Sequence, residues 1–443
     1  MYLHGTSAIN AQGHLEIGGC DVTELALQYG TPLYIVDETL VRQRAREYVE
    51  AFRASGLKFQ VAYASKAFSV MAMCAIAEQE DMSLDVVSDG ELYTALKAGF
   101  PAQRIHFHGN NKTPEEINMA LDAEIGCFVV DNYIELQLLN ALAGEKGKKV
   151  NILLRVTPGV EAHTHDYIST GQQDSKFGFD VSNGAAYRAV QEASALSNLD
   201  LLGVHSHIGS QIFEVDGFEM AASKVAQFAL KIRDELNVTF RVINLGGGFG
   251  IRYVEGDTPL PIATYVKAIT DAIKTNFGAA DYPLPEIWVE PGRSIVGDAG
   301  TTLYTVGTSK DIPGVRKYIA VDGGMTDNPR PALYESKYEA VIANRANDAA
   351  DETVTVAGKC CESGDKLIID CELSKPQIGD LLAVFCTGAY NYAMASNYNR
   401  IRRPSVVFVK DGQADLVVKR ESLDDIVGND ILPARMKKAS AVQ

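Results

Sequence analysis

Short apolar or alternating runs recur along the first two thirds of the chain, and amphipathic stretches of longer period separate them. The runs are FQVAYAS (59–65), SLDVVS (83–88), IHFHG (105–109), CFVVD (127–131), NILLRVT (151–157), LLGVHSHIG (201–209), VINLGGG (242–248) and EIWVEPG (286–292). Each has the length and β-branched content of a strand. Helical patterns such as MAMCAIAEQ, DGELYTALKAG and TPEEINMALDA fit between them. In the last, Thr113 can cap, Pro114 takes the first helical position and Glu116 closes a capping box. The first four strand-to-strand intervals are 24, 22, 22 and 24 residues, close to a minimal βα unit. Eight strands alternating with helices predict a (β/α)8 TIM barrel over 31–299. An open doubly wound sheet shares this pattern, because alternation alone does not show closure.

Beyond residue 300 the long helical patterns stop. Strand-like runs follow instead: TLYTVGTS, KYIAVDGG, ETVTVAG, KLIIDCEL, DLLAVFC and SVVFVKDGQADLVVKR, the last folded at an Asp411-Gly412 hairpin turn. They predict a β-rich C-terminal domain over 300–443, with residues 1–30 joining it and no flexible linker between the two parts.

Composition narrows the ligand. The chain carries 41 Lys+Arg against 57 Asp+Glu, a formal charge of −16, which disfavours a nucleic-acid partner. No apolar run reaches the roughly 18 residues of a membrane span, and the first residues do not read as a secretory signal. The seven cysteines contain no CxxC pair, as expected of reduced thiols in the cytoplasm. A soluble cytoplasmic protein acting on a small molecule is the expectation.

In a parallel barrel, chemistry gathers where strands end. Those positions hold Lys66, Asp85, Ser88, His108, Arg155, His207, Ser210, Gly246 to Gly248, Glu290 and Arg293. Lys66 interrupts the apolar context VAYASKAF; desolvation there would leave a neutral amine able to attack a carbonyl, as in a Schiff base. GGGFG after the seventh strand suits a phosphate held by backbone N–H groups, and it is neither a GxGxxG fingerprint nor a P-loop. Glu290, fixed by Pro291, can meet a cationic ring nitrogen or simply pair with Arg293. The histidine pairs 106/108, 163/165 and 205/207 raise the question of a metal, but they lack a closed ligand set and no metal is expected. Lysine, phosphate cradle, carboxylate and imidazole together describe a pyridoxal 5'-phosphate site.

The strings YASKAF, GVEAHTHDYISTGQQDSKFGF, VHSHIGSQI, NLGGGFG, VEPGRSIV, RPALYE, CESGD and TGAY resemble the diaminopimelate decarboxylase family along nearly the whole chain. The resemblance implies an alanine-racemase-like barrel, a β-domain and a homodimer with sites at the subunit interface. It implies that Lys66 holds the cofactor and that His207 stacks on its ring. Ser210, Gly246, Gly247 and Gly248 would take the phosphate, with the Pro291-Gly292-Arg293 backbone, and Glu290 would meet the pyridine nitrogen. Arg293, Arg330 and Tyr334 correspond to ligands of the substrate's distal carboxylate, Glu362 to the ligand of its distal ammonium, and Tyr390 to a residue near both molecules. Cys361 corresponds to a proton donor that, with Glu362, reaches the site from the opposite subunit. One departure is Gly323-Gly324 in VDGGM, where the family often has Ala-Gly.

The implied reaction is decarboxylation of meso-2,6-diaminopimelate to L-lysine and CO2, the last step of lysine biosynthesis. The alternatives are a decarboxylase of another basic amino acid, such as D-ornithine, D-lysine or a polyamine precursor, and a non-catalytic protein that carries the cofactor. The β-domain motifs CESGD and RPALYE speak against the carrier.

Overall fold

The computed structural model describes residues 2–160 and 175–436. The eight expected strands form at β1 (Phe59–Ala64), β2 (Ser83–Val86), β3 (Ile105–Phe107), β4 (Cys127–Val130), β5 (Val150–Thr157), β6 (Leu199–His205), β7 (Val242–Asn244) and β8 (Glu286–Val289). All neighbours pair in parallel, β8 against β1 and β4 against β5, so the sheet closes. This settles the barrel against the open sheet.

Alternation along each strand divides the residues between two environments. Val61 and Tyr63 of β1, Leu84 and Val86 of β2 and Ile105 and Phe107 of β3 pack outward under the helices. Inside, Cys127, Val129, Leu153, Val242 and Trp288 form a separate apolar plug. His106 stacks on Trp288 within it, with ring centroids 4.2 Å apart. The helix Pro114–Ala123 begins with the expected capping box between Thr113 and Glu116. Ser88 caps the helix Asp89–Lys97. No helix among the described residues is long and apolar enough to cross a membrane.

Most of the remaining strands build a second sheet in the order 366–373, 352–357, 316–321, 300–312, 33–37, 405–410 and 413–418, while Ala8–Ile9, Leu15–Ile17 and Cys20–Asp21 form a small sheet of their own. Two short strands, Ala340–Ile342 and Leu381–Val384, pair beside the second sheet. The hairpin turns at Asp411 and Gly412, both with positive φ, as a two-residue turn of this kind requires. One element departs from the sequence expectation. Leu33–Asp37 lies inside the span assigned to the barrel, yet it pairs with Gly300–Leu303 on one side and Ser405–Val409 on the other. A fully buried apolar strand satisfies either sheet equally, so the choice is tertiary. Leu15, Ile17, Val22 and Leu25 from the first 30 residues share the apolar core of this second sheet.

Candidate active site

The upper layer of the barrel interior is polar, because strand-end residues that point inward carry charge. They open into a cavity of about 750 Å³ between the barrel mouth and the second sheet. Lys66, His207, Ser210, Gly247, Gly248 and Glu290 line it. So do Gly292, Arg293, Arg330, Tyr334 and Tyr390.

Lys66 sits on a single helical turn, Ser65–Ala67, that breaks β1. The turn buries Ser65 and Ala67 and swings the lysine into the open cavity, where it is exposed. The desolvation expected from its apolar neighbours is therefore absent: the neighbours are buried and the amine is not. Asp85 and His108 face the same space.

Glu290 is held from three sides. Asn244 donates its amide to Oε1 at 2.6 Å, His205 Nε2 lies 3.0 Å from Oε2, and His108 Nε2 approaches Oε1 at 2.8 Å. The last approach is that of an ion pair, without the alignment of a hydrogen bond. Burial pushes this carboxyl up, but His108 and His205 outweigh it and hold Glu290 well below the usual carboxylate range. Burial, reinforced by Lys66 and Arg155, pushes the His207 imidazole well below its ordinary value, leaving a neutral ring. His108, His205 and Glu290 bring three potential ligand atoms within 4.8 Å of one another, but that contact is already an acid–imidazole cluster.

The glycines after β7 leave space that no side chain could occupy. A Cβ at Gly247 would lie 2.2 Å from the carbonyl oxygen of Glu290, and one at Gly248 would lie 2.4 Å from that of Gly209. Gly246 stands behind them, with φ of 68°; its N–H donates to Asn244 and its carbonyl accepts from Glu290 N–H. Pro291 accepts from the N–H of Ala64, joining β8 to the Lys66 turn. Arg293 donates to Ser210 Oγ at 2.9 Å and to the Tyr253 hydroxyl at 2.5 Å. Arg330 donates to the Tyr338 hydroxyl at 2.7 Å and lies over the Tyr253 ring. Both guanidiniums are buried, and among the described residues neither pairs with a carboxylate.

Two expected residues stand elsewhere. Cys361 and Glu362 are exposed and do not line this chain's own cavity. Cys360 is buried, and burial next to Asp365 pushes its thiol up to about 11. The pair His163 and His165, with most of the segment 161–176, lies outside the described residues. Sequence reasoning missed Asn244, Tyr253 and Tyr338. Asn244 was readable in principle, since it is a polar residue two places from Val242 on the inward face of β7.

These residues fit pyridoxal 5'-phosphate. A backbone cradle closed to side chains suits a phosphate, a carboxylate held anionic suits a protonated ring nitrogen, a neutral imidazole suits a ring face, and an exposed lysine suits an aldehyde. The fold and site thus define a class of barrel enzymes that use this cofactor on amino acids. The family model for the pyridoxal-dependent decarboxylase pyridoxal binding domain matches residues 38–297. Diaminopimelate decarboxylase of Bacillus subtilis is 61% identical over 431 residues, covering 97% of this chain and 98% of that protein. Among solved structures, diaminopimelate decarboxylase from M. jannaschii in co-complex with L-lysine superposes with a TM-score of 0.92 at 37% identity, covering 98% of this chain and 99% of that one. The chain belongs to the diaminopimelate decarboxylase family.

Proposed function

We infer that this chain decarboxylates meso-2,6-diaminopimelate at its D-configured end, giving L-lysine and CO2, with pyridoxal 5'-phosphate as cofactor. Its relatives support this reading, and decarboxylation of another basic amino acid is not favoured. The observation that carries it is a pair of buried arginines that have no carboxylate partner among the described residues. Unpaired buried charge is costly, so Arg293 and Arg330 call for anions that the described residues do not supply. A phosphate and the substrate's distal carboxylate are two such anions, and the guanidinium fork matches both. Ornithine and lysine have no distal carboxylate to offer.

The cofactor, when bound, supplies a sink for the electron pair left by departing CO2. Lys66 presents the amine that would hold it. Glu290, kept anionic by His108 and His205, would hold the proton on the ring nitrogen. His207 would cover one ring face, and Gly247, Gly248 and Ser210 would bind the phosphate together with the Pro291–Arg293 backbone, with Gly246 shaping the cradle from behind. Arg330 and Tyr334 would orient the distal carboxylate, and Tyr390 would cover the space between Lys66 and Arg293.

Cys361 and Glu362 are read as serving the cavity of a second copy, Cys361 as proton donor and Glu362 as ligand of the distal ammonium. Their exposure outside this chain's own cavity supports a homodimer with shared sites. All seven cysteines are free thiols, which supports a cytoplasmic setting. Product analysis with meso-diaminopimelate against ornithine and D-lysine tests the reaction. L-lysine and CO2 from the first alone is the expected result; equal turnover of the others would overturn it. Lys66→Ala should abolish both the cofactor's absorbance on the protein and turnover.

A further inference from the structure

The loop that carries Cys361 and Glu362 is tied to the loop that leads into Arg330, and one carboxylate makes the tie. Asp365 is 3% exposed. Its Oδ1 accepts from the N–H of Met325 at 2.7 Å and its Oδ2 from the N–H of Cys360 at 2.8 Å. Around it, Lys359 N–H donates to the carbonyl of Gly323, and Gly358 N–H to that of Asp365. The fit is tight: a Cβ at Gly324 or Gly358 would lie 2.5 or 2.2 Å from the Asp365 carboxylate. This accounts for Gly324 of VDGGM and Gly358 of AGKCC without reference to the substrate. On the far side, the N–H of Cys361 donates to Asn399 Oδ1 at 2.8 Å. The short helix Arg330–Tyr334 starts a few residues beyond Met325, and Asp327 closes the intervening turn by accepting from Gly324 N–H.

A buried carboxylate that accepts from two backbone donors on different loops fixes their relative position, because neither donor has another partner if the carboxylate moves. We propose that Asp365, with Asn399 as second anchor, is a positioning residue that holds Cys361 and Glu362 for the cavity of the other copy. This rests on the reading that those two residues serve that cavity. The consequence is that a defect at Asp365 is felt in the partner's site, although Asp365 itself touches neither substrate nor cofactor.

Asparagine at 365 keeps the shape but offers one acceptor and one donor, so it opposes an N–H to an N–H and releases one loop. Holoenzyme carrying Asp365→Asn should lose about tenfold or more in kcat while its cofactor absorbance is unchanged. Asn399→Ala, at an exposed position, should do the same without endangering the fold. The decisive measurement is a hybrid dimer, purified through two tags after co-expression of either variant with a Lys66→Ala chain. One of its two sites then combines an intact Lys66 with an intact Cys361 loop, and activity should recover to about half that of the unaltered dimer. Full activity in both variants, or a hybrid that stays at the variant's own level, overturns the proposal. A hybrid of Cys361→Ala with Lys66→Ala separates the two levels. If it recovers and the Asp365 hybrid does not, only the positioning role fails; if neither recovers, the shared-site reading falls as well.

Discussion

The backbone N–H of Tyr390 donates to the carbonyl of Ala67 at 2.8 Å, next to Lys66. Tyr390 adopts a left-handed conformation, with φ of 64°, to make that bond, and its ring then lies 4.9 Å from the Arg293 guanidinium. A residue from a loop between two strands of the second sheet thus braces the turn that presents the lysine and covers the arginine beside it. A positive φ at a bulky residue is uncommon and is held here by both contacts. Tyr390→Leu keeps the backbone bond but removes the π face, at about 1–2 kcal/mol for a desolvated cation–π contact. The expected outcome is a higher KM for diaminopimelate with Lys66 still able to hold the cofactor, read by steady-state kinetics beside an absorbance spectrum.

Arg330 tests the substrate assignment. Removing one charged donor from a carboxylate costs about 1.5–3 kcal/mol. Arg330→Gln should therefore raise KM by roughly ten- to a hundredfold. Cofactor binding should be unaffected, since the lysine and the glycine cradle lie on the barrel. An equal loss of cofactor would show that Arg330 serves the phosphate instead.

Gly247→Ala tests the cradle. Its added carbon would meet the backbone carbonyl of Glu290, which cannot move without displacing the carboxylate's strand. Overpacking of this kind costs about 1–3 kcal/mol. A lower unfolding temperature together with weakened cofactor binding is expected, measured by thermal denaturation and by cofactor titration of the apo form.

Asp327 yields a pH dependence. Burial pushes its carboxyl up to about 7, against the hydrogen bonds it accepts from Tyr304, Gly324 and Thr326. An unfolded chain gives up this proton near pH 4, whereas the folded one keeps it to about 7. Between those values the folded state binds more protons, so rising pH removes stability, by about 1.4 kcal/mol per unit, and the loss levels off above 7. Asp327→Asn, which retains an acceptor for Gly324 and a partner for Tyr304, abolishes this contribution. Urea unfolding of the two proteins from pH 4 to 8 should show the variant gaining on the parent up to about 7; parallel curves would refute the assignment.

The barrel was legible because each strand writes its two faces into local alternation and each βα unit repeats at nearly constant spacing. The strand ends that line the cavity followed from it, and so did the positions of Lys66, Glu290 and the glycines. What local pattern could not convey was partner choice. The run LYIVD at 33–37 reads as a strand but says nothing of which sheet it enters. The contacts of Glu290 with His205, His108 and Asn244 join β8 to β6, β3 and β7, and no spacing in the sequence announces them. Lys66 lines the cavity, but it is exposed there rather than desolvated, because an apolar neighbourhood in sequence became a wall around an open space.

The strand Leu33–Asp37 carries a consequence for how the chain reaches its native state. Its neighbours in the sheet are residues 300–303 and 405–409, so its two partners are separated from it by the entire barrel. Contacts of such high sequence separation are slow to form. During synthesis the barrel strands can find one another while this early segment waits exposed for nearly the whole chain to emerge. A ribosome that stalls before residue 405 would release a closed barrel with an unsatisfied β-edge, a form prone to pairing with another chain.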